Sequence, residues 1–329
     1  VKYQAEKTPY PPVGGSPTKE ENAMLRYIFK RLLQLIPMLL ILSLIVFFMV
    51  RMIPGDPVKN MLGIDVPQEM VEVERERLGL NDPLPQQYIR FMTELFHGDL
   101  GTSIVTGKPV WDELMSRYPN TLILAFGGIV VAAIGGILVG ILAAVFHNKF
   151  WDNCIMVLSM LAVSTPSFFL ALILMLVFTL NLRWFPSMGA ITPARMVLPI
   201  ITLGTQAIGF IARTTRSAML DVIGQDYIRT SRSRGIPNRV ITFSHTLKNA
   251  LIPILTAIGL RFGSLLAGSA IVETVFSIKG VGRFVVDSVS KRDYPAVQGC
   301  VLVLAVTFVV INTLVDLIYA FVDPRIKCD

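Results

Sequence analysis

An all-α, multi-pass membrane protein is the fold class this sequence predicts, with six transmembrane helices and a small helical segment between the first and second. Three observations predict it. The chain is 53% hydrophobic and only 16% charged, against about 25% charged residues in soluble domains. Its mean hydropathy of +0.61 makes a bilayer the natural solvent. Charge-free runs near the roughly 20 residues that a span requires recur at 32–50, 120–146, 153–182, 196–212 and 294–315, and a sixth, 249–272, is interrupted only by Arg261.

Residues 1–23 are polar and rich in Pro and Gly, the composition of a disordered cytoplasmic tail. Residues 24–50 follow as an uncleaved first helix, since the basic-then-apolar segment lacks a small-residue cleavage site; whether Met24 is the natural start stays open. Lys and Arg in the flanks set the orientation. With the N-terminus cytoplasmic, the inside segments hold 16 Lys and Arg and a net charge of +8, and the outside segments 13 and a net charge of −1. Both termini, including the tail 323–329, are therefore expected inside.

Residues 51–120 form the external segment, too long for a simple connector. "PGDP" (54–57) is a turn, and a helix is expected from Asp65, with Met70, Val73 and Arg77 on one stripe and Gly79 as its stop. After "NDP" (81–83) comes a second amphipathic stretch with Tyr88, Phe91, Met92 and Leu95 inward and Gly98 at its end. A lid packed on the bundle and a docking surface for an external partner are compatible readings. "GTSIVTGKP" (101–109) is not a phosphate-binding loop: five residues separate its glycine from Gly-Lys where that motif has four, and Pro109 follows the lysine. The three cysteines and three histidines are scattered, so neither a disulfide framework nor a metal cluster is visible.

Residues 121–322 contain the other five spans. Gly127, Gly128, Ala132, Gly136 and Gly140 on the second, and Gly259 and Gly263 on the fifth, have the small-residue spacing that lets helices approach closely in lipid. In "STPSFF" (164–169) Pro166 frees a carbonyl and kinks the third. Polar groups inside spans usually face the bundle interior, which makes Ser164, Gln206, Arg261 and Asn312 the candidate pathway residues; Thr202 and Thr205 have the simpler option of bonding back to their own helix. An arginine at mid-span costs about 2.5–3.5 kcal/mol on insertion scales. Two readings of Arg261 stay open: it lines the path and engages a carboxylate on the substrate, or it pairs with Asp316, one turn from Asn312.

The cytoplasmic loop 213–249 contains "DYIRTSRSRGIPNRV" (226–240). Membrane topology explains its arginines. It does not explain the loop's length, nor its layout: a helix expected over about 221–234, a break at Gly235-Ile236-Pro237, and a second helix entering the fifth span. Tyr227, Ser231 and Arg234 follow i, i+4, i+7 spacing and share a face, as in a helix seated in a partner's groove. Membrane lipids with anionic head groups suit the arginines too. Nucleic acid is disfavoured as a partner by the short tether between two spans.

This segment resembles the cytoplasmic "EAA" loop of ABC importer permeases of the oligopeptide/dipeptide type. The motif's Glu-Ala-Ala positions fall on Arg229, Thr230 and Ser231, and its glycine on Gly235. "IPGDPV" (53–58), "LGLNDPLPQQY" (78–88), "GDLGTS" (98–103), "VFSIKGVGR" (275–283), "RDYPAVQG" (292–299) and "VDPRI" (322–326) extend the resemblance over residues 24–327. Only part of the motif's small-residue character survives, and "HTLKNALIP" (245–253) replaces its Ile-x-Leu-Pro element; both departures are typical of the peptide branch. The resemblance implies a type I importer bundle in a bacterial inner membrane. It implies a heterodimer with a second homologous permease, two ABC ATPase subunits that hold ATP and Mg, and an extracytoplasmic substrate-binding protein. This chain would carry no cofactor or catalytic residue, and Tyr227, Arg229, Thr230, Ser231, Arg234 and Gly235 would couple it to the ATPases. A neutral polar residue is expected at position 261, so the arginine is a departure. Cargo stays open among dipeptides, oligopeptides, glutathione and metal chelates. The alternative class is a membrane-anchored assembly or signalling subunit that recruits a soluble partner without transport. A membrane enzyme is disfavoured because no His/Asp/Glu constellation gathers at one depth.

Overall fold

Without water to satisfy backbone groups, an apolar chain in a bilayer must close its hydrogen bonds within helices. Among the residues that the computed structural model describes (17–52, 57–63, 66–77, 79–186 and 192–322), every regular element is helical. In chain order these are α1 (Pro17–Arg51), α2 (Pro57–Leu62), α3 (Gln68–Arg77), α4 (Leu84–Phe96), α5 (Val110–Val145), α6 (Phe150–Ser164) and α7 (Ser167–Leu174). α7 continues as a π-helical turn, Met175–Asn181. Then come α8 (Pro193–Ile223), α9 (Asp226–Ser233), α10 (Asn238–Val240), a second π-helical turn (Ile241–Leu247), α11 (Lys248–Val275), α12 (Val281–Ser290) and α13 (Tyr294–Val322). Four stretches, Val110–Val145, Pro193–Ile223, Asn238–Val275 and Tyr294–Val315, are long and apolar enough to cross a membrane; α6 and α7 make a fifth if they are one span. α1 contributes the shorter apolar stretch Leu33–Met49.

Several helices outlast the charge-free runs that announce them. α5 begins at Val110, ten residues inside the segment expected to be external, because Asp112 and Glu113 in its first turn suit a helix N-terminus. α8 runs past residue 212 to Ile223. A charge ends the lipid-facing stretch, not the helix. α1 begins at Pro17, so residues 17–23 of the expected tail are helical, while residues 1–16 and 323–329, positions 54–56 of the "PGDP" turn (54–57) and the expected helix start at Asp65 lie outside the described residues. Pro166 does more than kink: α6 and α7 meet at 100°. Its missing N–H and the extended backbone of Thr165 (ψ 122°) end one helix and start the next.

α5, α8 and α11 form the centre. Leu124, Ala125, Ile129 and Ala132 of α5 interlock with Leu203, Ala207 and Ile211 of α8 and with Phe262, Leu265 and Leu266 of α11. Two glycines show how close the backbones come. A Cβ on Gly204 of α8 would lie 2.7 Å from the Gly128 carbonyl oxygen of α5, and one on Gly209 would lie 2.4 Å from the Ser159 carbonyl oxygen of α6. α13 packs on α11, with Phe308 and Val315 over Gly263 and Gly259.

The described residues between 57 and 108 cap one end of the bundle. The Tyr88 and Ser43 hydroxyls lie 2.8 Å apart, and Tyr88 and Phe91 pack on Phe47 at ring distances of 5.2 and 6.0 Å. The inward residue of α3 is Val71, at 3% exposure, not Met70 or Val73, which are 56% and 67% exposed. Gly79 and Gly98 stop their helices as expected, both with positive φ. The loop 101–109 closes on itself, Ser103 N–H donating to Lys108 O, and is pinned to the start of α13, where Ile104 N–H and the Ser103 hydroxyl donate to Asp293.

Gly209→Ala is expected to cost about 1–3 kcal/mol, the usual range for overpacking, and to lower the unfolding midpoint of the purified subunit in detergent. Gly268→Ala, whose Cβ would rest 3.7 Å from Leu203 Cδ1, is the neutral control.

Candidate functional site

The helix expected over 221–234 is two helices. α8 ends at Ile223, Gly224 caps it, and Gln225 turns extended (ψ 148°) before α9 starts at Asp226. Ile228, fully buried, anchors α9 against the π-helical entry to α11. The far end is closed by paired hydrogen bonds, Gly235 N–H to Arg232 O at 2.9 Å and Ile236 N–H to Ser231 O at 3.3 Å, with Gly235 at φ 74°. This is the Schellman stop, and it requires the left-handed residue that glycine supplies. Pro237 then sets the N-cap of α10.

The anchor at Ile228 decides which residues of α9 are presented. Ser231 lies beside it and is half-buried, while Tyr227 and Arg234 flank it and are exposed. Tyr227 is tied to its own chain, its hydroxyl accepting from Asn249 Nδ2 at 3.1 Å. Arg229, Thr230 and Ser233 occupy the open side. The hydroxyls of Thr230 and Ser231 donate to Asp226 O and Tyr227 O, so they are spent on the helix. Arg229 reaches Asp226 only at 3.8 Å on an exposed surface, a pair worth little. The arginines are thus left available to a partner.

The pathway candidates are spread along the bundle. The Arg261 guanidinium stacks 4.0 Å above the Phe210 ring of α8, and Gln206, half-buried, lies one turn from Phe210. Arg261 and Gln206 therefore share the α8–α11 seam. Gly259 and Gly263, which receive α13, lie roughly 200° round α11 from Arg261, so Arg261 and Asn312 are not brought together. The side chain of Asp316 lies outside the described residues. Ser164 is exposed at the last residue of α6, beside the break at Pro166. Thr202 and Thr205 bond back to Leu198 O and Ile201 O, the simpler option.

Four polar ties escape sequence reading. Arg216 of α8 grips Asp152 of α6 with both ends of its guanidinium, at 2.7 and 2.6 Å, and Asn148 N–H adds a third bond at 3.1 Å. Such bidentate pairs are the strong ones, and Asp152 is 1% exposed. At the opposite end, Arg195 donates to the Phe276 and Ser277 carbonyls at the C-terminus of α11. The buried Glu273 accepts from the Thr121 hydroxyl and the Arg283 N–H, and Thr121 accepts from Val281 N–H, all at 2.8 Å, so the two close the N-terminus of α12. Asp293 is the fourth. Each looked like a topology charge; partners 64 to 190 positions away leave no local signal.

Comparison with known proteins agrees with this architecture. Residues 136–327 match the model of the binding-protein-dependent transport system inner membrane component, and residues 24–125 match its N-terminal companion. The glutathione transport system permease protein GsiC of Salmonella paratyphi A is 42% identical over 304 residues, covering 92% of this chain and 99% of the relative. Its counterpart from Pectobacterium atrosepticum is 43% identical over the same length, with the same shares of each chain. Among solved structures, the inward-facing MetNI methionine ABC transporter matches with a TM-score of 0.53 at 20% identity, covering 64% of this chain and 96% of that chain; this supports the fold alone. With matches of this extent at both ends and along the full length of its relatives, the chain belongs to the family of binding-protein-dependent transport system inner membrane components, the permease subunits of ABC importers.

Proposed function

We propose that this permease moves peptides or peptide-like solutes inward, and that α9 is where ATP-driven motion enters it. The observation that carries the coupling role is mechanical. α8 is one continuous helix of 31 residues, roughly 46 Å long at 1.5 Å per residue. It joins the Phe210–Arg261 contact to a short basic helix whose open face is not engaged by its own chain. Push on α9, and Ile228 passes the displacement to the entry of α11, while the short Gly224–Gln225 link passes it to α8; both helices meet at the seam. α1 would supply the sixth span, placing both termini and α9 in the cytoplasm and residues 51–109 outside. A second, homologous permease would complete the pathway, two ATPases would hold ATP and Mg, and an external binding protein would deliver cargo. Relatives named for glutathione transport support a peptide-like cargo.

Arg261 is proposed to meet a substrate carboxylate. Its stacking on Phe210 holds the guanidinium along the α8–α11 seam, and such contacts contribute about 0.5–2 kcal/mol.

ATP-dependent uptake of a labelled dipeptide or glutathione into vesicles holding all subunits is the direct test. ATP hydrolysis without uptake of any cargo would leave only the membrane-anchor reading. Gly235→Val forces a β-branched residue into the left-handed region, at about 1–2 kcal/mol. Uptake and substrate-stimulated hydrolysis should both fall about tenfold while the subunit stays inserted and the ATPases stay bound; Gly235→Asn should retain most activity. Undiminished uptake by Gly235→Val with bound ATPases would refute the coupling role. For Arg261, the double change Arg261→Asp with Asp316→Arg should not restore uptake lost in Arg261→Asp; full recovery would assign the arginine to an internal pair.

A further inference from the structure

Only half of the apolar surface of α4 has a neighbour. Tyr88 and Phe91 pack on Phe47 of α1. Pro85, Ile89 and Phe96, at i, i+4 and i+11, form a second apolar stripe, and Ile89 and Phe96 are 63% and 81% exposed. Thr93, at the edge of this stripe, donates its hydroxyl to Ile89 O at 2.8 Å, so it needs no water. The polar stripe is Gln86, Arg90 and Glu94. Gln87, Arg90 and Glu94 line the cavity between α4 and the first turns of α13. At about 100° per residue, Ile89 and Phe96 lie on the opposite side of α4 from that cavity. The helix therefore turns its polar face toward the bundle and an apolar face outward, the reverse of a helix that caps a core in water.

Contacts with α1 fix the depth of α4. The Tyr88 hydroxyl reaches down to Ser43, and both aromatic rings of α4 meet Phe47. Arg51 folds back, its guanidinium 3.4 Å above the Phe47 ring, and donates to Gln87 Oε1 at 3.1 and 2.8 Å. α4 thus crosses α1 at the level of Phe47. The apolar stretch of α1 is Leu33–Met49, so the crossing lies two residues, about 3 Å, inside its end. Around the same level α1 exposes Ile45 and Phe48, a surface that meets acyl chains when α1 spans the bilayer. Interfacial helices lie at this depth, their apolar face about 5–10 Å into the boundary between head groups and chains. A water-soluble partner does not reach beneath the head groups, so depth assigns the outward stripe of α4 to lipid.

We propose that α4 lies in the outer membrane interface, with Ile89 and Phe96 seated among phospholipid acyl chains beneath the head groups and the polar stripe turned to the cavity. The partner is the acyl region of the leaflet, continuous with the lipid that surrounds α1, and the helix holds the cap at a set depth on the bundle. This rests on α1 being the sixth span with its C-terminal end outside. Lipid contact of α1 and of α4 is measured separately, so the two readings can fail apart.

The test uses the full chain with its companion subunits, unmutated, in phospholipid nanodiscs. These carry a trace of phosphatidylcholine with a carbene-generating aryl diazirine, either near the glycerol or at the end of an acyl chain. After irradiation, adducts are located by peptide mass spectrometry. The glycerol-proximal probe should label Ile89, Met92 or Phe96, and the chain-end probe should label them about threefold less, as the shallow seat of an interfacial helix requires. Both probes should label α1 between residues 33 and 49. Adducts on α1 with none on α4 would overturn the proposal and leave the sixth span standing; adducts on neither would overturn both. Adducts confined to Gln86, Arg90 and Glu94 would also overturn it, by turning the helix the other way. Loss of the α4 adducts on adding the external binding protein would assign the stripe to that protein instead.

Discussion

Everything else in this protein hangs on how closely α5 and α8 approach. Lipid gives two apolar helices no hydrophobic reason to associate, so contact must come from close van der Waals packing. Gly204 of α8 sits so near Gly128 of α5 that a single methyl group would strike a carbonyl. The other small residues of α5 repeat that closeness down the helix. α8, fixed in this way, becomes the common wall against which α6 packs through Gly209 and on which α11 stacks Arg261. Because α8 continues as a helix to Ile223, the same contact also sets where α9 emerges.

The ends of the bundle obey a different rule. There the chain must turn, and each turn leaves backbone groups that need partners. Glu273 and Thr121 close the start of α12, Arg195 closes the end of α11, and Asp293 holds the loop before α5. At the other end Asp152 and Arg216 join α6 to α8. The seam is therefore apolar and tight, while both rims are clasped by charges. That division gives the permease rigid helices with defined ends.

Arg261 lies at the junction of these two regimes. An arginine in the apolar interior needs a partner, and its face of α11 is turned to Phe210, with α13 on the other side. A guanidinium stacked on a ring keeps its N–H donors free for other partners, whereas one locked to a carboxylate spends them.

The sequence by itself determined the helical class, the apolar stretches, the small-residue seam, the two stops at Gly79 and Gly98, and the break at Gly235-Ile236-Pro237. All of these follow from local chemistry: hydropathy over a span's length, missing side chains, and a proline without an N–H. The family was legible too, through short motifs whose order along the chain is specific although each alone is weak. Tertiary structure alone decided which face of α9 is open, because the buried anchor is Ile228 and periodicity cannot say which stripe finds a neighbour. It also decided that Val71, not Met70 or Val73, packs inward, that Arg261 turns to α8 and not to Asn312, and that charges which mark topology also bind distant helix ends. The physical reason is common to them: a contact between residues far apart in the chain depends on how whole helices are placed, and no local spacing encodes that placement.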